Sequence, residues 1–189
     1  MPQFQFRTLF PVSTKKLIEQ LGSSDNGSAL RAAAELQERL CFQDGSLHGI
    51  DLSRADLRKV RMARASLREI VLQEALLAGA YFGASDLHRA NLRGARLQGA
   101  NLRETSLQHA DLSGADLTGA HLAQANLRGA NLSRAGLREA NLWRAQLCGA
   151  DLSDADLGGA NLYLAEFDEQ TRLPDGTHWS ADSDLERFI

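Results

Sequence analysis

The chain has little of what most functional signatures are built from. Its 189 residues include two cysteines, three prolines and two methionines, and aromatic residues make up 6%. Cys41 and Cys148 sit in unrelated contexts with no CxxC or other ligand-like spacing, which removes a cysteine-based metal site or a disulfide framework as the organising feature. Two free thiols, as in a reducing compartment, are expected; a single disulfide between them is the alternative. No stretch approaches the ~18 apolar residues of a membrane span. Residues 1–7 lack a basic region followed by an apolar run, so no secretory signal is read and the cytoplasm is the expected location. The net charge of -3 is too small to call for a nucleic-acid or membrane partner. The distribution is more telling. Residues 45–109 hold 10 Lys+Arg and 6 Asp+Glu, and residues 110–169 hold 4 and 9.

What the chain does have is a period of five. Stepping by five from Leu47 to Phe167 gives 25 sites, of which 22 are Leu; the others are Met62, Phe82 and Phe167. Two residues earlier, 19 of the 25 are Ala, with Gly45, Ile50, Val60, Ile70, Ser85 and Thr105 the exceptions. No insertion breaks the phase in this interval. Neither a 3.6 nor a 2.0 period explains the pattern.

The period has a physical meaning. With the central residue called i, positions i and i−2 point to one side of a locally extended backbone, and that side is apolar throughout. One unit buries a Leu and an Ala, ~2–3 kcal/mol for the Leu, which falls short of the ordering entropy of five residues. Each unit therefore needs neighbours. Coils stacked at ~4.8 Å supply main-chain hydrogen bonds and a continuous core. Gly at i+2, as at Gly94 and Gly114, suits a corner that tolerates positive φ.

Ala-Asn-Leu-Arg-Gly at 90–94, Ala-Asp-Leu-Ser-Gly at 110–114 and Ala-Asp-Leu-Thr-Gly at 115–119 resemble the A(D/N)LXX motif of the pentapeptide-repeat family. The resemblance implies an all-β solenoid: a right-handed quadrilateral parallel β-helix, four units per coil, with Leu and Ala inward. It also implies no shared catalytic machinery, and no cofactor is expected. Twenty-five units then make a little over six coils, a rod of ~30 Å.

The flanks divide the chain into residues 1–44, a helical capping or docking segment, 45–169, the β-helix, and 170–189, a capping tail. Ser13 is expected to cap a helix carrying Leu17, Ile18 and Leu21, closed by Gly22. Residues 23–27 read as a loop, and Ser28 precedes a second helix over roughly 29–40, with Leu30, Ala33, Leu36 and Leu40 near one face. An open β-helix end exposes unpaired backbone and core, so both flanks read first as caps.

Chemistry-bearing groups are sparse. His48 and His88 share a column two coils, ~10 Å, apart, too far for one zinc with ~2 Å bonds. No Ser/His/Asp or Cys/His grouping accompanies a pocket-forming loop, so no catalytic or metal residue is assigned and the chain is not expected to be an enzyme. Asp or Asn occupies i−1 in 13 of the 25 units. The family's topoisomerase-protecting members suggest a stripe imitating DNA phosphates; a short side chain bonded to nearby backbone is the plainer account. Arg54, Arg58, Lys59, Arg61, Arg64 and Arg68 spread over four faces and read as a solvated rim.

Two outward apolar features stand out. Val71, Leu76 and Tyr81 form a belt around one coil, which the N-terminal Phe4, Phe6, Leu9 and Phe10 are expected to cover. Trp143 and Tyr163 share a column with Arg144 and Leu164 alongside, a surface for a partner or for the C-terminal tail. The expected function is a non-catalytic protein-interaction or scaffold module, monomeric or weakly dimeric, with a protein partner and neither membrane nor nucleic acid. A DNA-mimicking regulator of a type II topoisomerase such as gyrase is the alternative.

Overall fold

The computed structural model describes residues 12–189. Two helices lead into a solenoid whose residues pair in parallel at intervals of twenty. Asp51 pairs with Val71, Val71 with Asn91, and so through Asn131 to Asp151. Three further columns run the same way, so each coil holds four five-residue units. The chain forms the right-handed quadrilateral β-helix that its repeat implies.

One unit shows why the five positions carry their residues. In Ala110–Gly114 every backbone N–H has a partner. Ala110 N donates to Leu107 O at 3.1 Å, closing a turn. Asp111 N donates to Ala90 O in the preceding coil at 2.9 Å. Leu112 N and Gly114 N donate to Asn131 O and Ser133 O in the following coil, at 2.7 and 2.9 Å. The Ser113 N–H goes to Asp111 Oδ1 at 2.9 Å. Leu112 and Ala110 are buried, so the apolar code and the hydrogen-bond code coincide.

The i+2 residue has positive φ in every unit from Gly49 to Leu164, whether or not it is glycine. Where the i+3 N–H is bonded to the carbonyl of i, as from Ala55 to Leu52 and from Ala115 to Leu112, this is a type II turn. Non-glycine residues such as Glu74, Ala84 and Arg89 are held there by the ladder on either side.

Polar residues enter the core only with partners. Ser85 Oγ donates to Met62 O at 2.6 Å and accepts from Ala65 N at 3.1 Å. Thr105 Oγ1 donates to Phe82 O at 3.0 Å.

α1, Thr14–Leu21, is capped by Ser13, whose side chain accepts from Lys16 N, and closes at Gly22. α2 is Asn26–Glu38, starting before the 29 read from sequence. The Asp25 carboxylate accepts the Ser28 N–H at 2.9 Å, so Ser28 lies in the first turn and Asp25 is the cap. The end also differs. Leu40 lies beyond the helix at φ 60 and is 68% exposed. Leu40 N bonds to Gln37 O and Cys41 N to Leu36 O, a Schellman motif with leucine in the usual glycine place. Ala29, Ala32, Ala33 and Leu36 form the buried face; Leu30 is only partly buried against it.

Leu17, Leu21, Leu36 and Phe42 join the solenoid core in one cluster. The first coil also finds backbone acceptors in this segment. Asp56 N donates to Ser23 O at 3.0 Å and Ser66 N to Phe42 O at 2.6 Å. Asn26 Nδ2 bonds to Asp56 O and Arg58 O, each at 3.0 Å.

At the other end the register continues past Phe167 after one inserted residue. Asp151 pairs with Arg172, twenty-one residues on. Thr171 and Leu173 take the inward places and are buried, and Thr171 Oγ1 donates to Leu147 O at 2.9 Å. The chain then reverses, Arg172 pairing antiparallel with His178, with Trp179 N on Thr171 O at 2.9 Å. This hairpin covers part of the last open edge.

Candidate functional site

The 13 Asp and Asn side chains at i−1 are committed locally. From Asp51 to Asn161, each accepts the N–H two residues on. Examples are Asp51–Ser53 at 2.9 Å, Asp116–Thr118 at 3.0 Å and Asn126–Arg128 at 3.2 Å, and the longest is Asp56–Arg58 at 3.3 Å. These are Asx turns, and they account for the residue type without an external ligand. For Asp51 the Ser53 hydroxyl and amide hold the carboxyl below its usual range. The belt residues Val71, Leu76 and Tyr81 cannot act as such acceptors. Val71 and Leu76 are half-buried and Tyr81 is exposed. The N-terminal residues expected to cover them lie outside the described residues.

The arginine rim is partly neutralised. Arg54 pairs with Glu74 at 2.8 Å, Arg58 with Asp56 at 2.6 Å and Arg68 with Asp86 at 3.1 Å. Arg61 instead lies over the Tyr81 ring, 5.6 Å from its centroid. Cys41 is buried, Cys148 half-buried, and both are free.

His48 and His88, two coils apart in one column, each have a nearer partner. His48 Nε2 lies 2.6 Å from Ser66 Oγ. His88 meets His109 edge to face, with centroids 5.8 Å apart. Burial, followed by the charges of Arg68 and Arg89, lowers the His88 pKa. Among the described residues no group of three or more His, Cys, Asp or Glu is placed to hold a metal ion.

The expected partner surface is held by the same backbone device as the rest of the rod. Asn141 Oδ1 accepts Trp143 N and Asn161 Oδ1 accepts Tyr163 N, both at 3.0 Å. Arg144 N donates to Tyr163 O at 3.1 Å. The Arg144 guanidinium lies over the Trp143 indole, 4.7 Å from the ring centroid. Trp143 is half-buried, and Ala123, one coil earlier in its column, is buried although it holds an outward position. Tyr163 and Leu164 are 69% and 51% exposed. The ring contact of the tail lies elsewhere. Trp179 stacks on Phe167, centroids 6.1 Å apart, because Phe167 is the last inward residue before the phase shift.

One relationship is hidden at the five-residue spacing. The column Arg61, Tyr81, Asn101, His121, Asn141, Asn161 puts Tyr81 on the same face as Trp143 and Tyr163. Counting in twenties rather than fives reveals it. The face has an open groove of about 640 Å³ at one end, with Ala63, Gly83 and Ala84 beside Tyr81 and Arg103. A second, of about 440 Å³, lies at the other, lined by Gln124, Arg144, Gln146, Leu164 and Glu166.

The sequence matches the family model described as pentapeptide repeats, in eight copies, over residues 42–73, 65–103, 95–134, 105–143 and 130–168. Comparison with the curated proteins gives no match. Among solved structures, HetL, a pentapeptide repeat protein involved in heterocyst differentiation regulation from the cyanobacterium Nostoc sp. strain PCC 7120, is 25% identical. That alignment covers 77% of this chain and 98% of that chain, with a TM-score of 0.37. QnrB1, a plasmid-mediated fluoroquinolone resistance protein, is 18% identical over 75% of this chain and 92% of its own, TM-score 0.42. Rfr23, from the cyanobacterium Cyanothece 51142, is 30% identical over 67% and 86%, TM-score 0.26.

Proposed function

This chain belongs to the pentapeptide-repeat family, and from that premise we propose that it is a non-catalytic protein-interaction or scaffold module of the cytoplasm. It offers the face bearing Trp143, Arg144, Tyr163 and Leu164 to a protein partner. The observation that carries this reading is the exposure of Tyr163 and Leu164, 69% and 51%, on a backbone fixed by the ladder to the preceding coil and by the Asn161 Asx turn. Aromatic area held rigid in advance loses little entropy on binding. The two free thiols fit a reducing compartment. No helix among the described residues is long and apolar enough to cross a membrane.

The DNA-mimic alternative draws no support from the i−1 side chains. Their oxygens serve the turns, and six of the thirteen are neutral asparagines.

The test is affinity recovery of partners from the native host with wild-type protein and with a Tyr163→Ala, Leu164→Ala variant. Both side chains are largely in solvent, so melting temperature should change little while recovery of a specific partner falls. Unchanged recovery with unchanged stability would remove this face from consideration.

A further inference from the structure

The four faces of the rod differ in charge. Taking the outward residues of each column set, the face of Tyr81, Trp143 and Tyr163 holds four arginines, Arg61, Arg64, Arg103 and Arg144, and one carboxylate, Glu104, with no aspartate. Each of the other three carries at least as many carboxylates as cations.

Ion pairing follows the same division. Every other face has two arginines ion-paired with carboxylates of the rod. They are Arg68 and Arg128 on one, Arg54 and Arg134 on the next, and Arg58 and Arg138 on the third. Arg61, Arg64, Arg103 and Arg144 are all exposed, and none has an ion pair among the described residues. Two of them lie over aromatic rings of this face, Arg61 over Tyr81 and Arg144 over Trp143, which holds each cation beside an apolar surface.

We infer that this face binds an acidic segment of a partner polypeptide, laid along the rod. This rests on the interaction reading above and adds the partner's chemistry. Arg64 and Arg144 stand in one column four coils apart, ~19 Å at the usual spacing, with Arg103 between them. An extended segment of about six residues spans that distance and brings carboxylates to all three guanidiniums. The small residues Ala63, Gly83 and Ala84 let its main chain approach, and the rings take its apolar side chains. Unpaired guanidiniums gain most from such a ligand, because they release no internal partner when they bind it. Single-stranded nucleic acid also combines phosphates with stacking, but it carries a charge at every residue. Four arginines spread over the coils of one face, with Glu104 among them, match a sparser anion.

The probe is a fluorescent random copolymer of glutamate and tyrosine, measured by anisotropy at low salt on the full chain. Binding should be detectable below ~1 mM and weaken with added salt. Arg64→Glu with Arg144→Glu should weaken it about tenfold, and Arg103→Glu alone severalfold. Arg93→Glu with Arg96→Glu, on two other faces, should change it by less than about twofold. Equal melting temperatures confirm that the variants are folded, and Arg103→Glu serves if the double variant is not. No binding of the copolymer, equal weakening by both pairs of substitutions, or tighter binding of oligothymidylate overturns the inference. If the copolymer fails while Tyr163→Ala, Leu164→Ala still loses a native partner, the acidic assignment falls and the interaction reading stands.

Discussion

The indole of Trp179 stacks on the ring of Phe167, with centroids 6.1 Å apart and planes inclined by 15°. This contact folds the tail over the last inward residue of the regular repeat. Trp179→Ala should therefore loosen the C-terminal edge at a cost of ~1–2 kcal/mol. Hydrogen exchange should rise at the amides of Leu173 and Trp179, whose bonds close the hairpin, and stay slow near Leu112. Uniform protection throughout would show that the tail is held by other means.

The inward code predicts a sharp contrast in stability. Leu112→Ala, in mid-solenoid, should cost ~3–4 kcal/mol through a cavity that the stacked coils cannot close. Arg93→Ala, outward and without an ion pair among the described residues, should cost under ~0.5 kcal/mol. Denaturant midpoints shifted equally by the two would contradict the assignment of inward and outward positions.

Positive φ gives a second, opposite pair. Leu40 sits at φ 60 and 68% exposed, so Leu40→Gly should stabilise by ~1 kcal/mol by removing the left-handed strain. Gly114 has φ 64, and a Cβ added there would meet nothing within 4 Å. Gly114→Ala should therefore cost ~1 kcal/mol from backbone strain alone. Thermal melts that move in the same direction for both would show that packing, not φ, decides these sites.

The Asx turns carry a pH signature. Partial burial pushes the Asp151 carboxyl up, but bonds from the Ser153 hydroxyl and amide and the charge of Arg172 outweigh it and hold the pKa below its usual value. A carboxyl depressed in the folded state adds stability above its unfolded pKa, ~3.9, and that stability is lost as pH falls through the folded value. Asp151→Asn keeps the acceptor oxygen, so stability at neutral pH should stay within ~0.5 kcal/mol while the loss below about pH 5 becomes shallower. Asp151→Ala should cost ~1 kcal/mol at neutral pH. An acid limb unchanged in the Asn variant would mean that Asp151 does not titrate with folding.

The repeat was legible because each unit repeats one packing decision. Leu112 and Ala110 are inward for the same reason as Leu92 and Ala90, and one phase assigns them all. The flanks have no such redundancy. At α2 the choice between Asp25 and Ser28 as cap depends on which side chain reaches a free N–H, and both residue types are good caps. Leu40 in a left-handed conformation runs against local preference and is set by the packing of Leu36 and Cys41. The single-residue insertion before Thr171 lies beyond the unbroken phase: in register Gln170 and Arg172 would point inward, and the shift puts Thr171 and Leu173 there instead. The shared face of Tyr81, Trp143 and Tyr163 was present in the spacing but needed the four-unit coil to become visible.

The most direct test of the contact face is photo-cross-linking from Tyr163 in the native host. A benzoylphenylalanine at position 163 should give a discrete adduct with a protein partner, reduced by excess wild-type chain. The same group at Ser113, on another face, should give none. No adduct from position 163, or the same adducts from both positions, would contradict the account.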